Sequence, residues 1–203
     1  MYVVVVVVVV VEVRSPQQQT TKTVFLATLA MPKGLKSTSS PIQISASAVE
    51  PSPGVMGTEE IDLTLNALDN EVFVVTQVNI DVDIPDLPGA AGDINFTSAS
   101  LSTTQRATVG SISNSNVLAA AQRAAGAGSA NLAFSFDRED PLFVAQDMDY
   151  LGIVATNNMF LNIQAEGASV TNVKGARVRV YGYRAKADAA TYASLVQSEL
   201  LSQ

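Results

Sequence analysis

The chain contains no cysteine, no histidine and no tryptophan. Without cysteine it has no disulfide, no thiolate nucleophile and no thiolate metal ligand. Without histidine it has no imidazole base, which excludes Ser-His-Asp and Cys-His catalysis. Because the commonest proton shuttle of enzymes is missing, we expect this protein not to be an enzyme.

Charge is also scarce. Charged residues make up 15% of the 203 residues, whereas hydrophobic residues make up 47%. A protein surface with so little charge is expected to be covered in part by partners. The net charge is −7, and phosphate binding requires a surplus of Lys and Arg, so direct nucleic-acid binding is not expected. The sequence has no Walker-type loop and no dinucleotide-binding fingerprint, and we predict no cofactor.

Charges of opposite sign are separated along the chain. Between Ser37 and Gln105 there is no Lys or Arg, while ten of the 19 acidic residues lie there. Five of the 12 basic residues fall close together near the C-terminus: Lys174, Arg177, Arg179, Arg184 and Lys186. The separation predicts an acidic face and a basic edge that orient neighbouring copies. The alternative is ordinary unevenness that folding balances within one molecule.

Nine consecutive valines, Val3–Val11, stand near the start of the chain. The run is shorter than the roughly 20 residues of a membrane-spanning helix, and the basic region and cleavage site of a signal peptide are missing. Valine favours extended structure, so we predict that residues 1–22 form an arm or strand, buried or inserted into a neighbour's sheet. The alternative is a placeholder for residues of unknown identity, which mass spectrometry of this segment would reveal.

Short segments of alternating apolar and polar residues, separated by turn-rich loops, fill most of the remaining sequence. This period of two is typical of half-exposed β-strands. The predicted strands are Thr23–Leu29, Ile42–Ala48, Ile61–Ala67, Val72–Ile84, Asp93–Ser98, Leu101–Val109, Ala130–Phe136, Gly152–Thr156, Met159–Ala165 and Ala176–Tyr183. Asn157-Asn158 predicts a tight hairpin between two of them, because Asn tolerates positive φ.

Two segments predict helices. The Ala-rich segment Val117–Ala125 contains no helix breaker, and Asp188–Leu201 begins with Asp188 as an N-cap. The second helix carries an apolar stripe made of Tyr192, Leu195, Val196 and Leu200. We therefore predict an all-β fold, an antiparallel β-sandwich of jelly-roll type over residues 23–186 with a short internal helix. A C-terminal amphipathic helix over residues 187–203 completes it.

Carboxylates suggest the best candidate metal site. Asp81, Asp83 and Asp86 lie at a predicted strand end and in its loop, where hard oxygen ligands suit Ca²⁺. A solvated polar face followed by a turn is the favoured interpretation, and calcium between subunits is the alternative. A second acidic group comprises Asp137, Glu139, Asp140, Asp147 and Asp149. A glycosidase pair is disfavoured, because only 6% of residues are aromatic.

The C-terminal third resembles a known family. Leu151–Leu161 is followed by Gly175-Ala-Arg-Val-Arg-Val-Tyr-Gly-Tyr-Arg-Ala-Lys186 and by the amphipathic helix. Together they resemble the single jelly-roll major capsid proteins of icosahedral, membrane-containing viruses of archaea and bacteria. The pattern of strands and loops is similar over residues 60–203, and the kinds of residue are similar over residues 151–186.

That resemblance implies a coat protein that self-assembles into an icosahedral virion shell. The implied partners are copies of itself, other capsid proteins and an internal virion membrane. The predicted subunit interface comprises Arg177, Arg179, Arg184, Lys186, Tyr192, Leu195, Val196 and Leu200. A solvated strand face is the alternative for the basic residues. Two other functions stay open: an extracellular filament or surface-layer subunit joined by strand exchange, and a ligand-binding β-sandwich module.

Overall fold

The computed structural model describes residues 34–128, 133–139 and 150–201, without the side chains of residues 138, 139 and 200. These residues belong to one compact unit, Met31–Gln203. The predicted N-terminal arm with its valine run and the predicted strand Thr23–Leu29 lie outside the described residues. The same holds for Asp140, Asp147 and Asp149 of the second acidic group.

The described residues contain ten strands, one short 3₁₀ turn and one α-helix, which are connected by loops. The strands are β1 (Leu35–Ser37), β2 (Ile42–Val49), β3 (Gly57–Asp62), β4 (Glu71–Val82), β5 (Ile94–Ser102), β6 (Val117–Ala127), β7 (Ala133–Glu139), β8 (Gly152–Val154), β9 (Asn158–Gly167) and β10 (Gly175–Ala187). The 3₁₀ turn is Ala67–Asp69 and helix α1 is Ala189–Leu201. All strand pairs are antiparallel.

The strands form two sheets. In sheet A, β1 and β2 both pair with one edge of β10, β4 pairs with its other edge, and β8 pairs with β4. Sheet B has the order β3-β9-β5-β6-β7. If β1 and β2 count as one interrupted strand and β7 as an added edge strand, the chain changes sheets in the order of a jelly roll. The predicted all-β antiparallel sandwich with a C-terminal helix is confirmed.

A β-bulge in β4 changes which residues of that strand point into the main core. Tyr181 pairs with Gln77 and Gly182 with Val75, so Thr76 has no partner in the register. The extra residue shifts the alternation by one position. As a result Phe73 and Val75 face the main core between the sheets, together with the even-numbered Val78, Ile80 and Val82.

The C-terminal helix covers part of the outer face of sheet A. Val72, Val74, Tyr183 and Ala185 point away from the main core and form a second apolar cluster. Helix residues Tyr192, Leu195 and Val196 pack against this cluster. Asp188 caps the helix as predicted, because its Oδ1 accepts a hydrogen bond of 2.7 Å from the Thr191 backbone N–H.

The predicted internal helix is wrong. Val117–Ala127 is strand β6, and it pairs with β5 on one side and β7 on the other. Alanine favours helices intrinsically, but Ala119 and Ala121 are buried in the main core, and two neighbouring strands satisfy the backbone hydrogen bonds. Tertiary pairing therefore overrides the local preference.

The predicted hairpin around Asn157 is also wrong. β8 pairs with β4 in sheet A, whereas β9 pairs with β3 and β5 in sheet B. The chain crosses between sheets at this point instead of turning back on itself. Two smaller corrections concern strand bounds. The strand predicted at Ile61–Ala67 ends at Asp62, and the two strands predicted between Asp93 and Val109 form the single strand β5 followed by a loop.

Candidate interaction surfaces

The basic residues predicted at a subunit interface lie on two faces of β10. Arg177 and Arg179 are exposed on the outer face of sheet A, next to Tyr181. Side chains alternate along a strand, so Arg184 and Lys186 point to the opposite face. The sequence placed all four in one group, but the structure divides them into two pairs.

Three of these four basic side chains have acidic partners in the same chain. Arg177 Nη1 lies 2.9 Å from an Asp83 carboxylate oxygen and 3.7 Å from one of Asp81. The hydrogen bond and the charge of Asp83 raise the pKa of the Arg177 guanidinium. Lys186 Nζ lies 3.2 Å from Asp69, and Arg184 Nη1 lies 3.9 Å from Glu71. The separated charges of the sequence are therefore balanced to this extent within one molecule.

The described residues give the calcium candidates no common centre. Asp81 and Asp83 face Arg177, while Asp86 binds a different cation, Lys174. No three acidic side chains among the described residues are grouped so that they could hold a metal ion. In the second acidic group, Asp137 forms an ion pair of 3.1 Å with Arg123. Strand pairing places Arg177 opposite Asp81 and Arg123 opposite Asp137, and a contact between two loops joins Lys174 to Asp86.

One end of the sandwich is held by buried polar groups. Asp86, in the loop after β4, reaches the loop before β10, where its carboxylate lies 2.6 Å from Lys174 Nζ. It also accepts hydrogen bonds from the backbone N–H groups of Thr171 and Asn172 at 2.8 and 2.9 Å. Burial alone would raise the pKa of Asp86, but these donors outweigh burial and hold its pKa well below the usual range.

Two further buried side chains tie the same end together. Glu50, after β2, accepts hydrogen bonds from the backbone N–H groups of Ala165 and Lys174 at 2.6 and 2.9 Å. The Asn95 side-chain amide donates to the carbonyl oxygens of Asp86 and Ser169 at 2.8 and 3.2 Å. Polar contacts therefore join three loops, 50–56, 83–93 and 168–174. In these contacts the buried charged groups Glu50, Asp86 and Lys174 all have partners.

The same end presents apolar side chains outward. Six of the 11 exposed large apolar side chains of the described residues lie on or beside these three loops. Ile94 is 36% exposed, and the other five are each 49–68% exposed: Val49, Val55, Ile84, Leu87 and Val173. We call the five more exposed residues the apolar loop end. Folding has turned charged side chains inward and aliphatic ones outward here, which is the reverse of the usual distribution.

Glu199 of helix α1 is a buried acid at the other end of the sandwich. Its two carboxylate oxygens accept hydrogen bonds from the backbone N–H groups of Ala155 and Thr156 at 2.9 and 3.0 Å. Burial raises the pKa of Glu199 above the usual range, although these hydrogen bonds act in the opposite direction. The helix is therefore held to its own domain by a polar clamp in addition to its apolar stripe.

The outer face of sheet B carries an aromatic pair on strand β7. Phe134 and Phe136 are 45% and 48% exposed. Their ring centroids lie 6.4 Å apart, with 7° between the ring planes. Gly126 stands opposite Phe134 in the register, and a Cβ at Gly126 would lie 2.2 Å from that ring. The ring therefore takes the space that a side chain at position 126 would need. We call Phe134 and Phe136 the aromatic shelf.

A polar groove lies near the shelf on the same face. Ser98 pairs with Gln122 on one side and with Gln164 on the other, so these three side chains form one row across β6, β5 and β9. The loop residues Val109 and Ile112 wall a cavity of about 290 Å³ above this row. Sequence reasoning missed both the shelf and the groove, because each joins residues from separate strands.

Comparisons with known proteins place the chain in no family. No protein-family model matches it, and no curated protein matches its sequence. Among the described residues there is no helix with the length and apolar character needed to span a membrane.

Proposed function

We propose that this chain is a structural coat subunit that assembles with copies of itself into an icosahedral virion shell. The observation that carries the proposal is the strand order of the two sheets, which is that of a jelly roll. This architecture also serves lectins and enzymes, so it supports the proposal by analogy. The resemblance of Leu151–Leu161 and Gly175–Lys186 to capsid jelly rolls supports it as well.

The distribution of charge supports a contact role for the apolar loop end. Asp86 and Lys174 are paired and mostly buried, and Glu50 is buried with two backbone donors. Covering this end with another protein surface would leave none of these three charges without a partner, so the usual desolvation cost of a charged contact is avoided. Interfaces between subunits concentrate apolar residues and deplete charge at their centres.

The C-terminal helix has a smaller part in this proposal than the sequence predicted. Tyr192, Leu195 and Val196 are partly buried against their own domain, and the side chain of Leu200 lies outside the described residues. We therefore assign the contact between copies to the apolar loop end and to the outer face of sheet A. Arg179, for which the described residues offer no ion-pair partner, lies on this face.

Electron microscopy of the purified full-length chain, combined with sedimentation velocity, tests the proposal. Closed particles of uniform diameter are expected from a coat subunit. Open fibres would instead favour a filament or surface-layer subunit, and a small soluble oligomer would favour a binding module. Either of these two results would contradict the shell.

A pair of matched variants tests the contact surface. Replacing Ile84 and Leu87 by serine is expected to reduce the yield of particles, because both side chains are exposed at the apolar loop end. Leu68→Ser is the control, since Leu68 is 96% exposed in the loop between β3 and β4, at the opposite end. Equal assembly of both variants would exclude the apolar loop end from the contact.

A further inference from the structure

The aromatic shelf is not explained by the core of this protein. Phe134 and Phe136 lie on the outer face of sheet B, opposite the face whose residues Ala99 and Ala121 enter the core. About half of each side chain is accessible to solvent. Gly126 leaves room for the ring of Phe134 against strand β6. The result is a pair of nearly parallel aromatic rings on β7, the edge strand of sheet B.

The groove near the shelf offers hydrogen-bond acceptors. The Gln122 side-chain N–H donates to Ser98 Oγ at 2.9 Å, and the Gln164 side-chain N–H donates to the Gly54 carbonyl at 3.1 Å. These bonds orient both amides and leave their carbonyl oxygens without a partner among the described residues. Glu166 also lines the groove, is exposed, and has no partner among them. A ligand here must bring donors.

The wall of the groove is fixed in place. Loop 103–116 folds over the outer face of sheet B, and the backbone N–H of Gly110 donates to the buried Ser100 hydroxyl at 2.9 Å. Arg106 and Asn116 hold the base of this loop through a hydrogen bond of 2.7 Å. The cavity is therefore formed before any ligand arrives, which lowers the entropic cost of binding.

The lining also restricts the charge of a ligand. The described residues that line the groove include no Lys or Arg, and Glu166 contributes a negative charge. Phosphates, sulfated sugars and sialic acids would meet this carboxylate, without a described Lys or Arg in the lining to balance their charge. Hydroxyl groups, in contrast, can donate to the carbonyl oxygens of Gln122 and Gln164 and to Glu166.

The shelf and the groove are close enough for one ligand. Phe136 pairs with Ala124, and Gln122 lies two positions from Ala124 on the same face of β6. Such diagonal neighbours are about 7–8 Å apart. The negative face of an aromatic ring attracts polarised C–H groups, which the apolar face of a sugar ring presents. A ligand with hydroxyl donors and such a face would use both features.

We propose that the outer face of sheet B binds a neutral oligosaccharide, with sugar rings packed on Phe136 and Phe134 and hydroxyl groups donating to Gln122, Gln164 and Glu166. This binding is a function separate from assembly into a shell, and it would serve attachment to a glycan-bearing surface. A shelf that only contacts other copies is the competing explanation.

Isothermal titration of the full-length chain with cellopentaose, maltopentaose and chitopentaose tests the proposal, with sialyllactose as the acidic comparison. At least one neutral oligosaccharide is expected to bind and sialyllactose is not. Phe136→Ala and Gln122→Ala should each weaken binding about tenfold, which corresponds to the loss of one contact. Tyr181→Ala is the control, because Tyr181 lies on the outer face of sheet A.

Three results would overturn the proposal. The first is that none of the three neutral oligosaccharides binds. The second is binding that Phe136→Ala and Gln122→Ala leave unchanged while thermal unfolding shows both variants folded. The third is that Phe136→Ala alters the sedimentation of the protein but not the titration, which would make the shelf a contact between copies. Particle formation is measured separately, so a failed shell proposal would not be confused with a failed sugar site.

Discussion

Lys174 Nζ lies 2.6 Å from a carboxylate oxygen of Asp86, and the two side chains are only 10% and 13% exposed. The residues are 88 positions apart, and the ion pair joins the loop after β4 to the loop before β10. Because Asp86 also accepts backbone hydrogen bonds from Thr171 and Asn172, it organises the end of the sandwich that carries the apolar loop residues.

Asp86→Asn is expected to destabilise the fold by about 3–5 kcal/mol, because the substitution leaves the charge of Lys174 buried without its partner. Denaturant unfolding measures the change. Glu59→Gln is the control, since Glu59 is exposed on edge strand β3 and should alter stability by no more than about 0.5 kcal/mol. An equal effect of the two substitutions would show that the ion pair contributes little.

Stability should also depend on pH through Asp86. Its pKa is lowered in the folded protein, so the folded state binds a proton less readily than the unfolded state. The stabilising contribution is therefore complete above the ordinary aspartate pKa of about 3.9 and is lost as pH falls below it. The free energy of unfolding, measured at several pH values, should therefore fall more steeply at acid pH for the unsubstituted chain than for Asp86→Asn. Parallel curves would contradict this assignment.

Glu199 should act in the opposite direction. Burial raises its pKa in the folded protein, so the contribution of its protonated form is complete below the ordinary glutamate pKa of about 4.3 and is lost as pH rises through the raised value. Relative to Glu199→Gln, the natural chain should lose stability across this interval. Thermal unfolding of both proteins at several pH values measures this loss. The slopes of stability against pH are compared, because the substitution itself changes stability by an amount that does not depend on pH.

The close approach of β4 to β10 at Gly182 predicts a strong effect of a single methyl group. A Cβ at this position would lie 2.3 Å from the Val74 carbonyl oxygen and 2.7 Å from the Phe73 ring. Gly182→Ala is therefore expected to destabilise the fold by about 1–3 kcal/mol or more. Gly89→Ala is the control, because nothing lies within 4 Å of its added Cβ. Similar melting temperatures for both variants would refute the predicted steric clash at position 182.

Docking of helix α1 on its own domain predicts the effect of a truncation. Removing residues 188–203 would expose Val72, Val74 and Tyr183, which the helix covers. We expect the truncated chain to lose stability as a monomer, as measured by denaturant unfolding. If the truncation instead leaves stability unchanged and impairs only assembly, the helix contacts a neighbour and the packing described above is not its main role.

Local periodicity determined much of the fold. The alternation in Ile42–Ala48, Val72–Ile84 and Ala176–Tyr183 predicted β2, β4 and β10, because a strand with one buried face must repeat every two residues. Asp188 and the apolar spacing after it predicted helix α1 and its cap for a similar reason. Each of these signals lies within one segment of the chain, so it can be read without knowing what the segment contacts.

Tertiary structure alone decided the rest. The Ala-rich segment Val117–Ala127 is a strand because β5 and β7 flank it, and β8 and β9 enter different sheets although only three residues separate them. The calcium candidates became ion-pair partners because folding brings Lys174 and Arg177 to them. The register between β6 and β7 places Gly126 opposite Phe134. In each case the free energy comes from contacts between distant segments, which local sequence does not encode.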